Sequence, residues 1–193
     1  MIRLLTLTFI LFCNNLIGQG LINLEKYKEE NKILGLPKEG EIRIVFMGNS
    51  ITESWKSFSP DFFSKNNYIN RGTTDQTTTQ MLLRFRSDVI NLQPKAVVIL
   101  AGINDIAENF GPIPIPDVAR NIFFMSQLAN ENNIKVILCS VLPAYDFPWR
   151  PGLNPKDKVI TLNKLIQNNN IDSNVDIAWG GGEPVLLENF DKI

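Results

Sequence analysis

Six apolar residues in a row, Ala96-Val97-Val98-Ile99-Leu100-Ala101, constrain the fold of this 193-residue chain more than any other stretch. A strand with one wet face alternates apolar and polar residues, and this one does not. Both of its faces must be covered, which is the signature of a parallel sheet with helices on either side. Two further runs behave alike, residues 42–47 and 135–141. Tyr68-Ile69-Asn70 is a shorter strand candidate.

Helical periods fall between these runs. Leu24, Tyr27, Asn31 and Leu34 share one face of a charged segment over 24–34, stopped by Gly35 and Pro37. Residues 77–92 read as a helix capped by Thr77 or Thr78, with Met81, Leu82, Phe85, Val89 and Leu92 inward. A third helix over 117–132 turns Val118, Ile122, Met125 and Ala129 inward, and 156–167 reads as a last one. Residues 58–67 and the proline- and aromatic-rich 143–155 read as loops. Strands alternating with helices give an α/β class, a three-layer α/β/α sandwich around a mainly parallel sheet. Right-handed crossovers gather the strand C-terminal ends on one edge, where ligands of such folds bind.

The ends of the chain read differently from its middle. Arg3 precedes an apolar core over 4–12, then small and polar residues to Gly20. That pattern is a secretory signal peptide, too short for a membrane span, and implies a secreted or periplasmic protein. Competing readings are a buried N-terminal strand and, through Cys13, a lipoprotein signal. With the leader removed, Cys139 is the sole cysteine, so no intrachain disulfide is expected, and its apolar run makes it a small core residue. The expected organisation is a signal peptide over 1–20, one domain over 21–167, and an atypical tail over 168–193. Gly180-Gly181-Gly182 lacks the Lys and Ser/Thr of a phosphate loop and reads as part of that tail.

The formal net charge of -1, with basic residues scattered, gives no sign of a nucleic-acid partner. No histidine is present and the cysteines are not clustered, so neither a metal nor any other cofactor is expected. Chemistry is instead concentrated where strands end. Gly48-Asn49-Ser50, Asn70-Arg71-Gly72 and Gly102-Ile103-Asn104-Asp105 are three polar turns that a parallel sheet would bring to one edge. Each alone has a structural explanation, since strand-to-helix turns favour Gly, Asn and Ser. Together, in this order, they are more specific.

With Val45-Phe46-Met47-Gly48-Asn49-Ser50-Ile51-Thr52-Glu53, Gly72 and Asn104, the chain resembles the SGNH hydrolases, also called GDSL esterases and lipases. Gln76-Thr77-Thr78, Met81-Leu82-Leu83-Arg84-Phe85 and Ser140-Val141-Leu142-Pro143 resemble the secreted, acetylhydrolase-like branch. Only Asn49, where the family has aspartate, departs inside the first block. The resemblance implies a flavodoxin-like sandwich and a serine esterase that removes acyl groups, acetyl among them, from carbohydrate or lipid esters. It also implies Ser50 as nucleophile, with an oxyanion hole from the N–H groups of Ser50 and Gly72 and the Asn104 amide. Such donors contribute about 10²–10³ in rate each. Glycine is expected at 72 because a side chain would crowd the acyl group.

The family's general base is a histidine in a C-terminal Asp-x-x-His, and neither residue has a recognisable counterpart here. A frameshift or truncated gene accounts for this if the true C-terminus has been replaced. Glu53, Asp75, Asp105 and Asp146 are the carboxylates at hand, and an ordinary carboxylate is a poor match for a serine proton. Tyr145 and Trp149, in Tyr145-Asp146-Phe147-Pro148-Trp149-Arg150, form either an aromatic platform for a sugar or acyl group or a packed surface loop. Two rivals stay open: a binding protein that kept the pocket and lost the base, and a flavodoxin-like nucleotide binder using the Ser50 turn for an anion.

Overall fold

The computed structural model describes residues 23–168 and 175–178. The segment read as a signal peptide and the glycine run lie outside them. Five strands form one sheet: β1 (Ile44–Gly48), β2 (Tyr68–Gly72), β3 (Ala96–Leu100), β4 (Lys135–Cys139) and β5 (Val175–Ala178), in the order β2-β1-β3-β4-β5. All four pairings are parallel. This is the three-layer architecture expected from the continuous apolar runs.

Seven α-helices accompany the strands among the described residues: α1 (Lys28–Leu34), α2 (Ser50–Phe58), α3 (Pro60–Ser64), α4 (Thr78–Asp88), α5 (Ile103–Ile106), α6 (Ile115–Glu131) and α7 (Lys156–Asn168). The strands alternate between two cores. Val45, Met47, Val97, Ile99, Val136 and Leu138 point to one face, where Met81 and Phe85 of α4, Ile122 and Met125 of α6, and Leu162 and Ile166 of α7 meet them. Ile44, Phe46, Ala96, Val98 and Ile137 point to the other, against Phe63 of α3. Phe46, Trp55, Phe62, Phe63 and Tyr68 form an aromatic cluster on that second face, with Trp55 stacked on Phe62 at 4.8 Å. Cys139 borders the same core, and burial pushes its thiol up to about 12. The small-core-residue reading holds.

Several expectations need correction. The first helical segment is two pieces, a 3₁₀ turn at Asn23–Glu25 and then α1, with Tyr27 between them buried. The loop read over 58–67 contains α3, whose Ser59-Pro60 start places proline at the first helical position, where its missing N–H costs nothing. The 77–92 helix is α4 followed by a 3₁₀ turn at Ile90–Leu92. Thr77 is its cap, and Thr77 N–H donates to Gln80 Oε1 at 2.9 Å. Residues 175–178, read as part of a tail, add an edge strand to the sheet, with Lys135 and Asp176 paired at 3.0 Å across it.

Candidate active site

The sheet register brings the three polar turns to one level. Gly48 is opposite Gly72 on one side and Leu100 on the other, so β1, β2 and β3 end flush. Ser50, Gly72 and Asn104 follow from those ends, as the sequence reading required.

Asn49 caps α2, its Oδ1 accepting the Ile51 N–H at 3.0 Å. Ser50 is thereby the first residue of a nine-residue helix, half-buried, with its N–H at the helix's positive end. Capping is the task of position 49, which asparagine performs as aspartate would. The buried Asn49 Nδ2 is left without a partner.

Gly72 allows α2 to approach. A Cβ there would lie inside contact distance of the Glu53 N and Cα atoms, in the first turn of α2. The obstacle to a side chain is therefore helix backbone rather than an acyl group. Asn70 fastens the same junction, donating from Nδ2 to Thr52 O at 2.5 Å and accepting the Gly72 N–H on Oδ1 at 2.9 Å. The Gly72 N–H, expected to face an oxyanion, is engaged by this side chain.

Asn104 is buried in α5, after a Gly102 held at φ +114°, a conformation that favours glycine. Its Nδ2 donates to Gln76 O at 3.0 Å. An amide nitrogen carries two hydrogens, so one donor remains. Its neighbour Asp105 turns inward and accepts from the Thr78 N–H at 2.9 Å and the Thr78 hydroxyl at 2.7 Å. Burial pushes the Asp105 carboxyl up to about 6, against the lowering effect of those bonds.

Beneath the edge lies a charged group that sequence periodicity did not reveal. Arg84 of α4 is completely buried. It donates to Gly48 O at 3.2 Å, to Arg71 O at 2.9 Å, to Gln76 Oε1, and to Asp88 Oδ2 at 2.8 Å. One guanidinium thus ties the end of β1 to the end of β2 and to the loop that meets Asn104. Tyr27 closes the network from the N-terminal side, its hydroxyl donating to Gly72 O, and burial pushes that phenol up to about 12. The sequence signal was Arg84 and Asp88 at i,i+4 on a helix whose neighbours point inward.

The other carboxylates have structural tasks or stand apart. Partial burial would raise Glu53, but Lys26 and the Thr74 N–H and hydroxyl outweigh it and hold its carboxyl below the usual range. Asp146 accepts from the Phe147 and Gly152 N–H groups, at 2.8 and 3.1 Å. Asp75 is exposed, at φ +63° in the loop between β2 and α4. Trp149 donates from Nε1 to Asn109 Oδ1 at 3.2 Å, and Arg150 bonds the carbonyls of Ala107 and Glu108. This loop is therefore anchored on the segment just after Asn104. Tyr145 projects from it, 92 % exposed. Among the described residues, no group of three or more Asp, Glu, Cys or His side chains could hold a metal ion. No helix among them is long and apolar enough to cross a membrane.

A parallel sheet with its polar turns flush on the C-terminal edge, one of them putting a serine at a helix start, is the layout of a doubly wound α/β protein with its candidate site at that edge. The family model for the GDSL-like lipase/acylhydrolase family matches residues 46–178, and the chain belongs to that family. Among solved structures, a GDSL-like lipase from Bacteroides thetaiotaomicron is similar at 47% identity and TM-score 0.78, over 81% of this chain and 77% of that one. A putative acylhydrolase from Bacteroides fragilis is similar at 45% identity and TM-score 0.78, over 81% and 76%. An acetyl xylan esterase shares the fold at 20% identity and TM-score 0.58, over 72% and 77%. Among curated proteins none matches. Ester hydrolysis is thus the family-level activity, and the matched span includes β5.

Proposed function

We propose that this chain binds an acyl ester at the C-terminal sheet edge and that Ser50 is the nucleophile, on the way to a secreted or periplasmic role. The observation that carries the reading is the flush register of Gly48, Gly72 and Leu100, which sets Ser50 and Asn104 on one edge. In the proposed reaction the Ser50 oxygen attacks the ester carbonyl carbon. The carbonyl oxygen, now negative, is met by the Ser50 N–H at the helix start and by the second hydrogen of Asn104 Nδ2. The Ser50 hydroxyl proton passes to the departing alkoxide oxygen as the ester C–O bond breaks, so the alcohol leaves neutral; water then adds to the acyl-serine, releasing the acid and returning a proton to the Ser50 oxygen. Acetyl is one candidate acyl group, and a carbohydrate or lipid is the alcohol.

The absence of histidine from the sequence favours a second reading, a binding protein that holds the ester without turning it over efficiently. A serine site lacking its base retains only about 10³–10⁴ over the uncatalysed rate, from oxyanion stabilisation and binding. Hydrolysis of a short-chain aryl ester by the chain and by Ser50→Ala separates the cases. Slow turnover that Ser50→Ala abolishes supports the nucleophile, and turnover unchanged by the substitution refutes it. Saturable ester binding with no turnover in either protein identifies the binding protein.

A further inference from the structure

Asn104 can stabilise an oxyanion only if its amide presents nitrogen to the charge. The terminal torsion of an asparagine is broad and nearly two-fold, so the backbone of α5 alone does not choose which end of the amide faces which way. Turned over, the amide would present its oxygen, which repels the charge that its nitrogen would stabilise.

A neighbour makes the choice. The Gln76 main-chain carbonyl can only accept, and it takes one hydrogen of Asn104 Nδ2 at 3.0 Å. That bond fixes the nitrogen toward the loop between β2 and α4 and leaves its second hydrogen as the donor.

The Gln76 carbonyl is itself held from beneath. Gln76 is 2% exposed, and its Oε1 accepts from Arg84 Nε. Arg84 is fixed in turn by Asp88 at 2.8 Å and by the carbonyls of Gly48 and Arg71. A bond from an ionised donor is roughly twice as strong as a neutral one. The loop is pinned on either side of Gln76 as well. Thr73 N–H donates to Gly48 O at 3.0 Å, and Thr78 N–H donates to Asp105 at 2.9 Å. Gln76 thus joins the buried guanidinium, through its side chain, to Asn104, through its main chain.

Resting on the reading of Asn104 as an oxyanion donor, we propose that Gln76 is a positioning residue: anchored by Arg84, its carbonyl sets the orientation of the Asn104 amide. It acts on the charge of the tetrahedral intermediate through Asn104 and not by contact.

Nuclear magnetic resonance of the side-chain amides in the ¹⁵N-labelled full chain tests the positioning without any need for turnover. Asn104→Asp identifies the Asn104 pair of signals by removing it. The two hydrogens of that pair can trade places only when the bond to Gln76 O breaks. Gln76→Met keeps the length of the side chain and removes the acceptor for Arg84, and should speed the interchange by about tenfold, the worth of one hydrogen bond. Gln76→Glu keeps an oxygen for Arg84 and should restore the slow rate. Arg84→Lys keeps a charge opposite Asp88 but loses the fork that reaches Gln76, and should speed the interchange as Gln76→Met does. A glutamine with a purely structural role would lower the melting temperature in Gln76→Met and leave the interchange alone.

Hydrolysis of a short-chain aryl ester gives the second readout. Gln76→Met should lower kcat by about tenfold or more with KM little changed, as expected for an interaction made in the transition state, and Gln76→Glu should recover it. Ser50→Ala should abolish turnover and leave the Asn104 signals as they are, so a failure of the nucleophile assignment shows up separately. In a chain without measurable turnover the interchange rate decides alone. An unchanged interchange rate in Gln76→Met and Arg84→Lys overturns the proposal, as does a faster interchange with kcat unaltered or with only KM raised.

Discussion

The two sides of the candidate site are built on opposite plans. On the β2 side nearly every polar group is committed. Arg84 holds the carbonyls of Gly48 and Arg71, Asn70 holds the Gly72 N–H and the Thr52 carbonyl, and Tyr27 holds the Gly72 carbonyl. On the α2 side, Ser50 and three large apolar side chains face outward with little above them. One side is a frame and the other, among the described residues, is open. The contrast teaches that the residues most costly to change here are not those that would touch substrate.

The largest effect should come from Arg84→Met, which removes four hydrogen bonds and leaves Asp88 buried without its cation. A loss of about 3–5 kcal/mol in urea unfolding is expected, with Arg84→Lys recovering part of it. A near-neutral Arg84→Met would break the comparison at its strongest point.

Asp105 comes next, and its effect depends on pH. Its carboxyl sits at about 6 in the folded chain, above the ordinary 3.8. Between those values the native state keeps a proton that the unfolded chain has released, so this group's contribution to stability falls as pH rises from about 4 through about 6. The full cost is on the order of 3 kcal/mol and is complete at neutral pH. Asp105→Asn, which keeps an oxygen for Thr78, should make the pH dependence of unfolding visibly shallower across that window. An unaltered profile would remove Asp105 from the account.

Gly72→Ala should cost about 1–3 kcal/mol, because helix backbone must move to admit the methyl group. If thermal melting shows no change, α2 is held less tightly than the frame implies. Gln80→Ala, which deletes one half of the α4 cap, should cost about 1 kcal/mol or less. On the open side, Phe58→Ser should leave the melting temperature within a degree or two, since an exposed ring stabilises little. A large drop would mean that this face of α2 belongs to the frame after all.

The fold was largely legible because its central strands are unalternating apolar runs, which only a doubly covered parallel sheet accommodates. The sheet edge was legible for the same reason: parallel register aligns Gly48, Gly72 and Leu100, and so brings the three polar turns to one edge. Where the reading failed, tertiary structure overrode local pattern. Arg84 and Asp88 look like the wet face of an amphipathic helix, and only the convergence of two strand ends above them explains their burial. Residues 175–178 have too few residues to show a period, and pairing with β4 makes them a strand. Gly72 was read through chemistry when its nearest neighbour is the backbone of α2. Asn70 was marked only as part of a polar turn, and nothing local shows that its side chain takes up the Gly72 N–H.

The bond from Tyr27 to Gly72 has a consequence in time as well as in space. Its ends are 45 residues apart, and Arg71 reaches back 40 residues to Asn31. β1, the second strand of the sheet in space, likewise precedes in sequence both strands that flank it. Synthesis therefore delivers the serine turn before anything that fixes it. β1 must wait without a sheet neighbour until β2 and then β3 have been made. Closing loops of that length costs entropy before any contact repays it, and such chains fold more slowly than those built from local pairs.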